Sequence, residues 1–245
     1  MTSPTQTAGS RGAEHRFFSG MAIGILAVAL IGFARTYFLR PLLPVPTPVL
    51  PSLTPLIHIH GALFTLWVFL FVAQTLLIGR KRIGLHRTLG FASLGLALAM
   101  VVVGTITAIH SVARGIAPFG MDPRRFLAIP LAAIYLFAGF YIAGFVKRRN
   151  AQSHKRLMLL ATIALLPPAI ARWVLLLGLG PPFILAFATL LLVPLVVWDW
   201  KTRGRLHPVT LWGGGLLLVS APLRLLLAKS DFWLGIADRL AGLVK

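Results

Sequence analysis

Apolar residues run through this chain in seven long blocks separated by short polar stretches. A bilayer core about 30 Å thick needs about 20 apolar residues as helix. The blocks Phe17–Leu39, Thr54–Ile78, Leu89–Ser111, Phe126–Val146, Leu157–Leu177, Phe183–Trp200 and Val209–Ala228 have that length. Helix is the expected form, because a backbone facing lipid must satisfy its own hydrogen bonds. The period-two alternation of a membrane β-barrel is absent. The pattern therefore predicts an all-α fold, a polytopic membrane bundle of seven transmembrane helices over residues 17–228. No length remains for a separate soluble domain.

The flanks read differently. Residues 1–16, rich in Ser, Thr and Gly, are expected to form a disordered cytoplasmic tail. The apolar run that follows is too long for a signal-peptide core and lacks a small-residue cleavage site, so the first span belongs to the mature protein. In the segment 229–245, Trp233, Ile236, Leu240 and Val244 recur at helical spacing, with Asp231, Asp238, Arg239 and Lys245 between them. That is an amphipathic helix lying in the outer interface; a frayed extension of the seventh helix is the alternative.

Three local patterns bear on packing. Gly90, Ser93, Ala97, Gly104 and Ala108 lie close to one stripe of the third span, where small residues let helices approach. Pro167–Pro168 in the fifth span and Pro194 in the sixth remove backbone donors and predict kinks. Gly213–Gly215 begins no phosphate-binding motif and is expected to permit close helix contact.

Composition supports the membrane reading. Of 245 residues, 58% are hydrophobic and 12% charged, about half the charge of a soluble domain. The net charge of +19 comes from 24 Lys and Arg against 5 acids. These cations sit in short clusters between apolar runs rather than along one face, which argues against nucleic acid as a partner. The absence of cysteine excludes disulfides, iron–sulfur clusters and thiolate zinc sites. Fourteen Lys and Arg fall on the side of the N-tail and the even-numbered loops, at 11, 16, 80–82, 87, 147–149, 155, 156, 201, 203 and 205; seven fall opposite. Such a bias places the N-terminus in the cytoplasm and the C-terminus outside.

Charged groups within a bilayer are costly and tend to be functional. Arg35, Arg172 and Arg224 share a depth near the outer ends of the first, fifth and seventh spans, with no acid at that level. Each could snorkel separately to the headgroups. The alternative is one basic pocket for an anion, with His60 beside it and Trp67 and Phe71 as its apolar wall. Asp199 and Arg203, four apart, are expected to form a modest ion pair on one helix face.

The histidines suggest a pair at each membrane face. His60 and His110 lie near the outer ends of the second and third spans, while His86 and His154 open the third and fifth on the cytoplasmic side. His86 and His110 are 24 residues apart, about 36 Å of helix. Phe64, Trp67, Phe71 and Gln74 follow His60 along one stripe. Two imidazoles from facing helices are what a six-coordinate haem b requires, and arginines at the same depth would neutralise its propionates. No nucleophile–base pair, phosphate loop or paired carboxylate appears.

The run His60-Gly61, Trp67, Gln74-Thr75, Leu85-His86-Arg87, Leu89-Gly90 resembles a pattern in a family of uncharacterised bacterial multi-span membrane proteins. So do His154 to Met158, Arg172-Trp173, Asp199 to Pro208 and Pro222-Leu223-Arg224. The resemblance covers most of the chain beyond the first span and implies a bacterial inner-membrane protein. A looser similarity, of histidines paired across a helical bundle, is to small membrane b-type cytochromes. The chain departs from them in the wide spacing of its two histidines on the third span and the lack of any in the fourth. Three readings follow: a haem-b or quinone-linked redox protein, with His60 and His110 as the first choice of ligands; a non-enzymatic binder or transporter of an anionic lipid or amphiphile; or an assembly or scaffold subunit of a membrane complex.

Overall fold

The computed structural model describes residues 8–43 and 53–244, with side chains from residue 12. Every regular element among them is helical. In chain order these are α1 (Ala8–Phe33), continued by a π turn (Ala34–Phe38), α2 (Pro55–Gly79), α3 (Ile83–Ala113), α4 (Pro123–Val146) and α5 (Ala151–Ala164). They are followed by α6 (Pro167–Leu176), α7 (Pro182–Leu190), α8 (Val193–Arg203), α9 (Pro208–Leu227) and α10 (Asp231–Gly242).

Among the described residues, six helical runs are long and apolar enough to cross a bilayer, α7 and α8 counting as one; α5 and α6 make a seventh if that bent pair is a single span. The helix starts are chemically marked. Thr54, Asp122, Asn150 and Ser230 each accept a backbone N–H from the first turn of α2, α4, α5 and α10, replacing a partner the helix cannot supply. Pro55 and Pro123 follow their caps, where the missing N–H costs nothing. At Pro167–Pro168 the same missing donors fall inside an apolar run, and α6 leaves α5 at 47°.

Helix α5 is the axis of the bundle. Leu157 and every residue from Leu159 to Ala164 are buried, as expected of a helix apolar all round that neighbours cover on each side. α4 packs along it, α1 and α9 flank it, and Trp67 of α2 reaches it through an Nε1–H bond to the Thr162 hydroxyl at 3.3 Å. Four of the five residues of the α3 stripe, Ser93, Ala97, Gly104 and Ala108, are buried and Gly90 is half-buried; Ser93 and Tyr141 of α4 share a hydroxyl–hydroxyl bond of 2.8 Å. A Cβ on Gly213 would lie 2.6 Å from a Leu160 methyl carbon, so the expected close contact holds there, whereas Gly215 faces open space. Outward-facing Leu66, Phe69, Leu98, Ile142, Trp212 and Val219 leave an apolar surface of the kind lipid covers.

Two expectations are corrected. Part of the supposed disordered tail is helix: α1 begins at Ala8, and Glu14 there pairs with Lys155 and accepts from Gln152 of α5. Residues 1–7 lie outside the described region. Asp199 does not pair with Arg203 on its own helix but with Arg156 of α5. The amphipathic segment forms α10, a separate helix after a break at 228–230. It is docked on protein, with Trp233, Ala237 and Ala241 buried and the Trp233 Nε1–H donated to the Arg124 carbonyl at 2.8 Å.

Candidate functional sites

The end of α1 meets the start of α2 through Tyr37 and His58, and the end of α4 meets the start of α5 through Gly144 and His154, at opposite ends of the bundle. One carries the basic loops after α2, α4 and α8, and is called the basic-loop face. The other carries the ends of α1, α3 and α6 and is called the far face.

At the basic-loop face, His86 on the first turn of α3 meets His154 on the first turn of α5. Their ring centroids are 6.3 Å apart and their planes perpendicular. His154 Nδ1 lies 2.8 Å from the Gly144 carbonyl. A carbonyl only accepts, so Nδ1 carries a proton, and in the neutral ring Nε2 is the nitrogen with the lone pair. The His86 Nδ1 and the Gln74 Oε1 are buried without a hydrogen-bond partner. Gln74 lies beside Gly90, one turn along α3 from His86, since a Cβ on Gly90 would meet the Gln74 amide nitrogen at 3.8 Å. Unpaired buried polar atoms are rare and call for an explanation.

The outer histidines are not arranged like this. The His60 ring stacks on Phe64 at 4.2 Å, its Nδ1 is buried without a partner, and no ring contact joins it to His110 among the described residues. Trp67 and Phe71 are buried in the core, Trp67 edge-on to Phe137 and Tyr141.

A cavity of about 420 Å³ opens at the far face between the ends of α1, α2, α3 and α6. Arg40, Arg114, Arg172 and His110 line it, with Thr36, Thr54, Thr107 and Ser111, and an apolar side of Leu53, Pro55, Leu56, Ile57 and Ile116. Arg172 is held from three directions. Its Nε donates to the Thr36 hydroxyl at 2.8 Å, its Nη1 to the Pro168 carbonyl at 2.7 Å, and its guanidinium lies 4.2 Å from the centre of the Phe33 ring. The π turn of α1 supplies Thr36, and the bend before α6 directs Arg172 toward it. The set of arginines therefore differs from the expected one. Arg224 bonds the carbonyl and hydroxyl of Ser220, one turn back on its own helix. α9 packs on α4 and α5 whereas α1 packs on α2 and α6, and Arg35 does not line the cavity. Arg40 and Arg114 lie just beyond the apolar blocks, where a search confined to spans misses them. Matching cations by level past the span ends would have found both.

A third constellation is structural. Arg156 and Asp199 are 1% and 0% exposed. Asp199 accepts from Arg156 Nε at 3.1 Å and from its Nη2, from the His207 N–H at 3.0 Å and from the Thr210 hydroxyl. Arg156 Nη1 donates to the Gln152 carbonyl and side chain. Burial, with Arg156 and Arg203 nearby, pushes His207 down to about 4. Neutral His207 accepts the Val209 N–H on Nδ1 at 3.1 Å and so caps α9. The corner ties α5, α8 and α9 together.

No family model matches the chain, and no curated protein or solved structure is significantly similar to it.

Proposed function

We propose that this protein is an integral membrane redox protein that holds one haem b between His86 and His154 at the basic-loop face. The observation that carries the reading is the geometry of that pair. The two rings come from the first turns of α3 and α5, 6.3 Å apart between centroids, and would hold a haem iron as its two protein ligands. The Gly144 carbonyl orients His154 as an outer partner of a metal ligand does. Among the described residues no three His, Cys, Asp or Glu side chains gather as a cage for a bare ion. Haem needs only two protein ligands, because the porphyrin supplies the other four. When bound it would supply one-electron chemistry. The flanking Arg82 and Arg87 bring positive charge to the end where propionates would emerge. The excess of Lys and Arg supports a bacterial inner membrane with the basic-loop face in the cytoplasm.

Absorption spectroscopy of the full chain, produced with haem supplied, tests the assignment. A low-spin bis-imidazole spectrum is expected, lost in both His86→Ala and His154→Ala and retained in His60→Ala and His110→Ala. Colourless wild-type protein, or a spectrum that survives both inner substitutions, would overturn it. Loss on changing His60 and His110 instead would restore the outer pair.

A further inference from the structure

We infer that the cleft between the start of α5 and the α8–α9 turn, at the basic-loop face, binds the phosphate group of an anionic ligand, carried by a lipid headgroup or by a soluble phosphate ester. The cleft holds about 450 Å³ and is lined by Asn150, Ser153, Arg203, Arg205 and His207, with no acidic side chain among its walls. Gly204 ends α8 with left-handed backbone, φ 67°, and the arginines on either side of that turn line the same space. Neither guanidinium takes a hydrogen bond or an acidic partner among the described residues. Asp199, one turn before Arg203, is buried and already taken up by Arg156, the His207 N–H and the Thr210 hydroxyl.

A buried group also points to a ligand. His207 is only 7% exposed, yet it lines the cleft. Its Nδ1 accepts the Val209 N–H, so the neutral ring carries its proton on Nε2, and Nε2 takes no bond among the described residues. Asn150 gives its Oδ1 to the Ser153 N–H, which leaves the Asn150 amide N–H₂ and the Ser153 hydroxyl without a partner there. The walls therefore present donors and positive charge, and the positive end of the α5 dipole adds to both. A carboxylate would offer these groups two oxygens, whereas a phosphate monoester offers three and carries about −1.5 to −2, which the two arginines match. Arginine suits it because its fork stays charged and donates in pairs. The volume lies within the range that takes a small organic ligand, and Leu206 and Val209 give the cleft an apolar side.

The test is binding to the full chain in neutral detergent. Tail-labelled phosphatidic acid is read by fluorescence anisotropy, and its tail-free headgroup, glycerol 3-phosphate, by calorimetry. Wild type should bind in at least one arm, and Arg203→Gln/Arg205→Gln should weaken that binding about tenfold or more. Binding of phosphatidic acid alone identifies a lipid as the source; equal affinity for glycerol 3-phosphate identifies a soluble ester. Both arginines are exposed, so the double variant should stay monodisperse on gel filtration. Arg80→Gln/Lys81→Gln removes the same charge at the same face outside the cleft and should leave binding unchanged. A second measurement needs no variant: whichever probe binds should protect Arg203 and Arg205, and not Arg80, from phenylglyoxal, read by peptide mass spectrometry. No binding in either arm, equal weakening by the two double variants, or equal protection of Arg80 would overturn the proposal. Neither His86 nor His154 lines the cleft and none of these readouts depends on haem, so the two proposals fail separately.

Discussion

Asp199→Asn should destabilise the bundle severely although it hardly changes volume. Asp199 is fully buried and takes four donors: two nitrogens of Arg156, the His207 N–H and the Thr210 hydroxyl. The amide removes the charge that compensates a guanidinium only 1% exposed, and sets an N–H₂ against a ring of donors. Removing one partner of a buried pair costs about 3–5 kcal/mol, because the other charge stays behind uncompensated. At about 2–4 °C per kcal/mol for a chain of this size, the melting temperature should fall by roughly 10 °C. The assay is heating of the full chain in detergent, followed by the fraction that remains monodisperse on gel filtration. Arg156→Met should cost a similar amount. The double variant Arg156→Met/Asp199→Leu should be less damaged than either single one, since no buried charge is stranded. An Asn variant within about 1 kcal/mol of wild type, or a double variant at the sum of the singles, would refute the reasoning.

Further outcomes follow from the same geometry. A Cβ at Gly32 would lie 2.7 Å from the Ala169 carbonyl oxygen and 3.0 Å from its Cα; backbone cannot yield as a side chain can, so Gly32→Ala should cost about 1–3 kcal/mol in the same heating assay. His207, held near 4 against an ordinary 6.5, resists protonation in the folded state, so stability present above pH 6.5 should be lost as pH falls toward 4. His207→Asn keeps a capping acceptor without titrating and should flatten melting temperature against pH across that window. Trp233→Ala removes the buried anchor of α10 and its bond to Arg124, at about 3–5 kcal/mol. Limited trypsin digestion should then cut after Arg239 sooner than in wild type, with the rest of the chain intact.

Hydrophobic length marked the membrane-length runs, six among the described residues and a seventh if the bent α5–α6 pair is one span, because a bilayer demands a minimum apolar run and a helix converts residues to length at a constant rise. Local chemistry was equally legible: the missing donors of Pro167–Pro168 became a 47° bend, and the small-residue stripe of α3 became its buried face. The four histidines were readable as candidates at two faces, since their heights follow from counting along helices. Only the tertiary structure decided which of them meet, because that depends on which helices are neighbours and how each is rotated about its axis. So His86 reaches His154 while His60 stacks on Phe64, and Arg172 joins Arg40 and Arg114 rather than Arg35 and Arg224. The basic cluster 147–156 shows the limit most plainly. Arg156 is one more cation in the sequence, and it becomes a buried strut because α8, 43 residues later, places Asp199 against it.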